Sequence, residues 1–182
     1  MKKVLLFSVI FLLSSMIALA YETVIIHFPD GELWKPAYYK KVGNEALLQY
    51  VSGNDTSENW TRSIVVHSYN NTQYPINVFI RNNAMRLQKT NPTGAYKMIK
   101  VSENDAIMTR CTENYKTIIG QCEFFRAIAA HGGVITVHYM NKNKTDFKHN
   151  YTLWLEIIRK VKFFNTYYRD ERTLNKSEYF EL

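Results

Sequence analysis

Apolar positions along the chain follow two different periods. Alternating or continuous runs of β-branched and aromatic residues, bounded by turn residues such as Pro29 and Gly31, predict β-strands. Gly132 and Gly133 form the turn of a predicted hairpin, and a short helical turn is expected near Trp60. The predicted strands cover residues 23–28, 33–40, 46–51, 63–69, 95–101, 106–111, 123–130 and 134–141.

Two other segments repeat their apolar residues at helical spacing. The first begins at Pro75 and ends before Pro92, because proline disfavours helical geometry at the residue that precedes it. Its apolar positions include Ile76, Phe79, Ile80, Ala84 and Leu87. The second runs from about residue 147 to residue 168, with an apolar face made of Tyr151, Trp154, Leu155, Ile158 and Val161. Both patterns are typical of amphipathic helices that lie across a sheet.

Strands in groups, with one helix in the middle of the chain and one at its C-terminal end, predict an α+β fold. We expect an antiparallel sheet of about six to eight strands, with two helices that can cover one of its faces. No repeat, linker or low-complexity boundary divides the chain, so residues 21–182 form a single domain whose polar tail frays from about residue 170. Trp60 and Trp154 are expected to anchor the core.

The first twenty residues predict a secretory signal peptide. Lys2 and Lys3 precede an apolar run over residues 4–13, and Ala18 and Ala20 are the small residues placed for cleavage. The run is shorter than the ~20 residues that a membrane anchor needs. We therefore expect a bacterial protein that starts at Tyr21 after cleavage and is secreted or periplasmic, with no membrane insertion.

Cys111 and Cys122 are the two cysteines of the chain. Outside the reducing cytosol, a disulfide between them is the default expectation. The alternatives are a thiol nucleophile or a metal site completed by a histidine such as His131. Neither cysteine lies in a CxxC motif or a nucleophile signature, so the bridge is the favoured interpretation.

The motifs of common active sites are absent from the sequence. The five histidines include no HExxH, and no GxSxG, GxGxxG or P-loop is present. His131 and His138 flank the predicted hairpin turn and can face each other across it, which is a weak indication of a metal. We therefore expect no metal, no other cofactor and no catalytic residue that a motif identifies.

The charge of the chain is positive but dispersed. Beyond residue 20, the chain carries 21 Lys and Arg against 16 Asp and Glu. The cations of the last predicted helix, including Lys148, Arg159 and Lys160, alternate with acids such as Asp146 and Glu156. This pattern favours a solvated helix face over a nucleic-acid site, so we expect no nucleic-acid partner.

Two classes of function remain open. The favoured one is an exported, non-enzymatic protein that binds a protein or cell-surface partner, because aromatic residues make up 14% of the chain and tyrosine is enriched at interfaces. AT-rich coding is an alternative origin of the tyrosines. The other class is a small extracytoplasmic hydrolase whose site combines distant residues, such as His67 with a carboxylate. The tyrosines proposed for a binding surface are Tyr38, Tyr39, Tyr69, Tyr74, Tyr167 and Tyr168.

Residues 49–65, with the sequence QYVSGNDTSENWTRSIV, resemble a segment of small secreted or periplasmic proteins of gram-negative bacteria. In that family a strand ends in Val-Pro-x-Gly and is followed by an acidic turn, Glu-Asn-Trp-Thr and a β-branched strand. Ser52 replaces the proline, and Cys122 replaces a glycine of a second similar stretch. That stretch includes Cys111, Gly120-Gln121-Cys122-Glu123 and Ala127-Ile128. The resemblance implies export and supplies no catalytic residue, because the family has no assigned activity.

Overall fold

The computed structural model of the chain describes residues 22–29, 31–72, 74–130, 132–165 and 180–181. The predicted signal peptide over residues 1–20 lies outside these residues, as do Tyr21 and all but two positions of the predicted frayed tail from about residue 170. No helix of the described residues is long and apolar enough to cross a bilayer.

The described residues form ten strands and three helices. They are β1 (Glu22–Ile25), β2 (Trp34–Val42), β3 (Glu45–Ser52), β4 (Arg62–Asn70), α1 (Ile76–Thr90), β5 (Ala95–Val101), β6 (Asp105–Cys111), β7 (Cys122–Ala130), β8 (Gly133–Asn141), α2 (Lys144–His149), α3 (Tyr151–Lys160), β9 (Lys162–Asn165) and β10 (Phe180–Glu181).

Seven of the strands form one antiparallel sheet in the order β2-β3-β4-β8-β7-β6-β5. A smaller sheet has the order β10-β1-β9. The predicted α+β class is therefore confirmed, with one helix in mid-chain and helical structure near the C-terminal end. The predicted hairpin with a turn at Gly132 and Gly133 is also confirmed, because β7 pairs with β8 from Cys122 and Asn141 up to that turn.

The last predicted helix is wrong in its extent. Residues 147–168 were expected to be one helix, whereas α2 begins at Lys144 and α3 ends at Lys160, and residues 166–168 lie outside the described part of the chain. Asn143 caps α2 by accepting a hydrogen bond from the Asp146 amide, which moves the helix start upstream. After α3 the backbone of Val161 is extended, and β9 then pairs with β1.

The helices lie on both faces of the main sheet, whereas the sequence suggested that they cover one face. Side chains of a strand alternate between the two faces, so neighbouring residues of β6 identify them. Ile107 packs with Trp154 and Ile158 of α3 on one face, called the α3 face. Met108 packs with residues of α1 on the other, called the α1 face.

The two predicted tryptophan anchors have different environments. Trp154 is confirmed as a core residue, because its side chain is fully buried and its ring stacks on Tyr139 with centroids 3.8 Å apart. Trp60 is only half-buried, and Lys142 Nζ lies 4.0 Å from its ring centroid. The helical turn expected there is absent, because Asp55 accepts a hydrogen bond from the Thr61 amide and holds the segment as a loop.

The predicted disulfide is confirmed. Cys111 and Cys122 are cross-strand partners on β6 and β7, and their bond closes the loop over residues 112–121. This segment is called the disulfide loop. The bond excludes Cys111 and Cys122 as thiol nucleophiles or metal ligands in the oxidised protein, and it joins the two ends of the disulfide loop.

Candidate active site

A cleft of about 340 Å³ lies between α1 and the α1 face of the main sheet. Side chains of β3, β4, β6, β7 and β8 form its floor, and the C-terminal half of α1 forms one wall. Ile118 and Ile119 of the disulfide loop complete the lining. The volume of the cleft falls within the range of small-molecule binding sites, which is ~300–1,000 Å³.

Strand alternation puts the polar side chains of the floor on one face. His67 belongs to β4, His138 to β8, Glu123 to β7 and Arg110 to β6, and all four line the cleft. Arg110 is paired directly with Glu123 across β6 and β7. In the register of β4 and β8, Val65 is opposite His138 and the next inward-facing pair includes His67. The two histidines are therefore diagonal neighbours, for which the usual spacing is about 7–8 Å.

His67 is held by a carboxylate and an aromatic ring. Its Nε2 lies 3.1 Å from Glu45 Oε2, and its ring centroid is 3.9 Å from that of Tyr69. Burial lowers the pKa of His67 below its usual 6.5, and the charges of His138 and Arg86 act in the same direction, against the effect of Glu45. His67 is therefore neutral at pH 7.

His138 forms a second pair with a carboxylate. Its Nδ1 lies 3.7 Å from Glu123 Oε2, and its ring stacks on Phe125 with centroids 4.2 Å apart. The Glu123 side chain is only 7% exposed, whereas Glu45 is 59% exposed. The cleft thus contains one histidine–carboxylate pair at its edge and one in its interior.

Arg110 connects the floor of the cleft to its helical wall. Its Nη2 donates hydrogen bonds of 2.9 and 2.6 Å to the carbonyls of Leu87 and Asn91, at the C-terminal end of α1. Its Nε has no acceptor among the described residues. Burial lowers the pKa of Arg110, with Glu123 opposing the shift, yet the guanidinium keeps its charge at pH 7 because arginine is not deprotonated in proteins.

The arrangement is suited to proton transfer. Two imidazoles on neighbouring strands share one cleft, each lies beside a carboxylate, and Arg86 and Arg110 add positive charge. Among the described residues, no group of three histidine, cysteine or acidic side chains is placed to hold a metal ion. His131 lies outside those residues, so its predicted pairing with His138 stays a prediction.

The predicted tyrosine surface is only partly described. Tyr38, Tyr39 and Tyr74 are exposed, whereas Tyr69 is half-buried and lines the cleft. Tyr38 and Tyr39 are neighbours on β2, so their side chains extend to opposite faces of the sheet. The described tyrosines therefore do not form one continuous surface. Tyr167 and Tyr168 lie outside the described residues.

The sequence named His67 for a hydrolase site and His138 only as a weak metal candidate, and it did not single out Glu123 or Arg110. His138, Glu123 and Arg110 carry no motif, and only strand pairing brings them to one place. The positions of Glu123 and His138 could have been predicted from strand alternation. Because β7 and β8 form a predicted hairpin around a known turn, alternation from that turn assigns Glu123 and His138 to the same face.

The lowered pKa of His67 gives the first testable prediction. Protonation of His67 is easier in the unfolded chain than in the fold, so its contribution to stability is present above pH 6.5 and is lost as the pH falls below it. We expect the free energy of unfolding to decline less between pH 7.5 and 5 in His67→Gln than in the wild type. Urea unfolding at both pH values measures this difference.

His149→Gln provides the control for that measurement, because His149 is exposed at the end of α2. The control should decline with pH as the wild type does. An unchanged decline in His67→Gln would contradict the neutral state that we assign to His67.

No family model, curated protein or solved structure matches this chain in comparisons with known proteins. The resemblance of residues 49–65 to a family of exported bacterial proteins stays a prediction. Any function assigned to the chain therefore depends on the geometry of the cleft.

Proposed function

We propose that this protein is an exported enzyme that cleaves its substrate by general acid–base catalysis in the cleft. This is the hydrolase alternative of the sequence analysis. The observation that carries the proposal is the presence of two histidines in one cleft, His67 and His138, each with its own carboxylate. Partly buried histidines with charged neighbours in a cleft are typical of catalytic acids and bases.

The two histidines are suited to different roles. A carboxylate accepts hydrogen bonds, so Glu45 fixes the proton of neutral His67 on Nε2 and leaves Nδ1 basic. His67 is therefore the general base. We assign the role of general acid to His138, whose Nδ1 lies 3.7 Å from Glu123 Oε2.

An extracytoplasmic location supports an enzyme of this kind. The predicted signal peptide directs export, and the disulfide between Cys111 and Cys122 is typical of an oxidising compartment. In such a compartment, acid–base catalysis by side chains needs no cellular cofactor.

An exported binding protein is the second candidate, as the sequence favoured. The observation in its favour is the edge strand β2, where Tyr38, Tyr39 and Val42 are 44%, 53% and 61% exposed. Exposed aromatic residues at a sheet edge can bind a protein or cell-surface partner. Here the partner would contact β2 and leave the cleft open.

A screen for turnover tests the proposed function. The mature protein is assayed against esters, phosphate mono- and diesters, peptides and glycosides at pH 7, beside His67→Asn and the control His149→Asn. We expect wild-type turnover of one class and a fall of about 100-fold or more in His67→Asn, because a positioned base contributes ~10²–10⁴. The control should keep full activity.

The same protein samples test the second candidate. A pull-down from envelope or host extracts compares the wild type with Tyr38→Ser and Tyr39→Ser. Absence of turnover of any class, together with a partner lost in the tyrosine variants, would replace the enzymatic proposal with the binding one. Equal turnover in the wild type and folded His67→Asn would also overturn the enzymatic proposal.

A further inference from the structure

We infer that the substrate of the cleft is RNA, cleaved by attack of a ribose 2′-hydroxyl on the adjacent phosphodiester. The inference rests on the acid–base function proposed above. It names the substrate class of the same cleft from the kind of nucleophile and the charges found there.

The cleft has a base and an acid, but the hydroxyl groups of its described lining are not suited to attack a substrate. The Thr90 hydroxyl donates a hydrogen bond to the carbonyl of Arg86, and the Thr112 hydroxyl donates one of 3.3 Å to the carbonyl of Gln121. Burial raises the pKa of Tyr69, so its phenol stays protonated. A substrate that supplies its own nucleophile fits this set of residues, and the 2′-hydroxyl of RNA is such a nucleophile.

The charges of the cleft suit a phosphodiester. Among the described lining residues, Arg86 and Arg110 are permanent cations and Glu123 is the acid. Arg110 is fixed by its hydrogen bonds to α1, and Arg86 is exposed at the rim. Fixed cations stabilise the negative charge that develops on a phosphoryl group in the transition state.

The spacing of the histidines allows one phosphodiester to lie between them. Diagonal neighbours on adjacent antiparallel strands are separated by about 7–8 Å, so a base and an acid on such positions can approach opposite sides of one phosphorus. His67 then faces the attacking oxygen and His138 faces the leaving oxygen. This arrangement is required for an in-line displacement with proton transfer at both ends.

The step balances without another reactant. His67 takes the proton of the 2′-hydroxyl, the 2′-oxygen forms a bond to phosphorus, and the bond from phosphorus to the 5′-oxygen breaks. His138 delivers its proton to that 5′-oxygen. The products are a 2′,3′-cyclic phosphate and a free 5′-hydroxyl, and proton exchange with water restores both histidines.

The mouth of the cleft offers an apolar surface for a base. Ile118 and Ile119 are 37% and 58% exposed, and the ring of Tyr69 lines the cleft. Single-stranded RNA is commonly bound by stacking unstacked bases on aromatic side chains, so the Tyr69 ring is the candidate for such a contact and the two isoleucines add apolar surface beside it. The dispersed charges that argued against nucleic acid in the sequence belong to α2 and α3. One phosphodiester needs cations only inside the cleft.

Three labelled oligonucleotides of one sequence test the inference with the full mature protein. They are an RNA, a DNA, and a DNA with a single ribonucleotide, each incubated in EDTA to silence metal-dependent contaminants. We expect cleavage of the RNA, cleavage of the third strand only after its ribonucleotide, and no cleavage of the DNA. Mass spectrometry should find a 2′,3′-cyclic phosphate on the 5′ product.

Variants purified in parallel connect the cleavage to the cleft. His138→Asn should reduce kcat/KM for RNA about 100-fold or more, and the wild type should show a bell-shaped pH profile, because one histidine must be neutral and the other protonated. Arg86→Gln should weaken cleavage as well. His149→Asn is the control and should match the wild type, with circular dichroism confirming that each variant is folded.

The outcomes separate the two proposals. Equal cleavage of RNA and DNA, or stable RNA beside turnover of another substrate class that needs His67, would overturn the RNA inference and leave the acid–base function standing. RNA that is bound without being cleaved would also overturn it. No turnover of any substrate would overturn both proposals.

Discussion

Replacement of Trp154 by alanine is expected to lower the free energy of unfolding by about 3–5 kcal/mol. The side chain is fully buried on the α3 face, where it stacks on Tyr139 and forms a T-shaped contact with Trp34, with ring centroids 5.4 Å apart. Its removal leaves a cavity between α3 and the sheet that neighbouring rigid rings cannot fill. Urea unfolding of the oxidised mature protein measures the loss.

Leu153→Ala is the matched control, because Leu153 occupies the preceding position of α3 and is 46% exposed. We expect a change of no more than about 0.5 kcal/mol for this variant. The cleft lies on the opposite face of the sheet, so folded Trp154→Ala should keep its activity. A loss below about 1 kcal/mol in Trp154→Ala would contradict the assignment of this residue as an anchor.

The fold class could be predicted because the apolar residues of each element repeat with the period of a helix or a strand. The apolar positions of α1 repeat at helical spacing from Ile76, and Pro75 and Pro92 limit the segment on both sides. The strands of the main sheet alternate or are continuously apolar, and most of them pair with a neighbour in sequence. Local pattern and tertiary structure therefore agree in this part of the chain.

The C-terminal end was predicted poorly because its conformation depends on a distant partner. Residues 162–165 continue an apolar, aromatic pattern that suits either a helix or a strand, and the sequence analysis extended the helix through them. They form β9 because β1, more than 130 positions earlier, supplies the hydrogen bonds. Strand preference is decided by such pairing more than by the residues alone.

The sequence predicted a histidine–carboxylate site at His67, but it did not predict which residues complete the cleft. A histidine with a carboxylate was expected around His67, but its partner Glu45 is set by the pairing of β3 with β4. Arg110 and Glu123 meet because β6 and β7 pair, and neither residue belongs to a short motif. A site assembled from four strands has no linear signature, so local sequence reasoning could not bring its members together.

Arg126 connects the main sheet to the C-terminal helix, and its loss should be as costly as that of Trp154. Its Nη1 donates to the carbonyls of Ile158, Arg159 and Val161 at 2.7, 2.8 and 3.0 Å, where α3 ends. Its Nε and Nη2 donate to the two carboxylate oxygens of Asp105, each at 3.0 Å. The side chain is 10% exposed, so these bonds are largely shielded from water.

Arg126→Met should therefore lower the free energy of unfolding by about 3–5 kcal/mol, the usual cost of removing one partner of a buried ion pair. The variant leaves the end of α3 without its donor and Asp105 with Lys100 as its remaining cation. Arg159→Met is the control, because Arg159 forms an exposed pair with Glu156 and is 48% exposed. Exposed pairs contribute at most about 1 kcal/mol, so the control should remain close to the wild type.

Acid should reduce the difference in the free energy of unfolding between the wild type and Arg126→Met. Burial by itself raises the pKa of Asp105, but hydrogen bonds from Arg126 and Lys100 outweigh it and hold the pKa below the usual 3.8. The stability from this lowered pKa is present above pH 3.8 and is lost as the pH falls through the folded value. Without Arg126, the pKa of Asp105 is lowered less, so the free energy of unfolding of the variant falls less in acid. Unfolding midpoints that differ equally at pH 7 and pH 3 would show that Arg126 acts only through the carbonyls of α3.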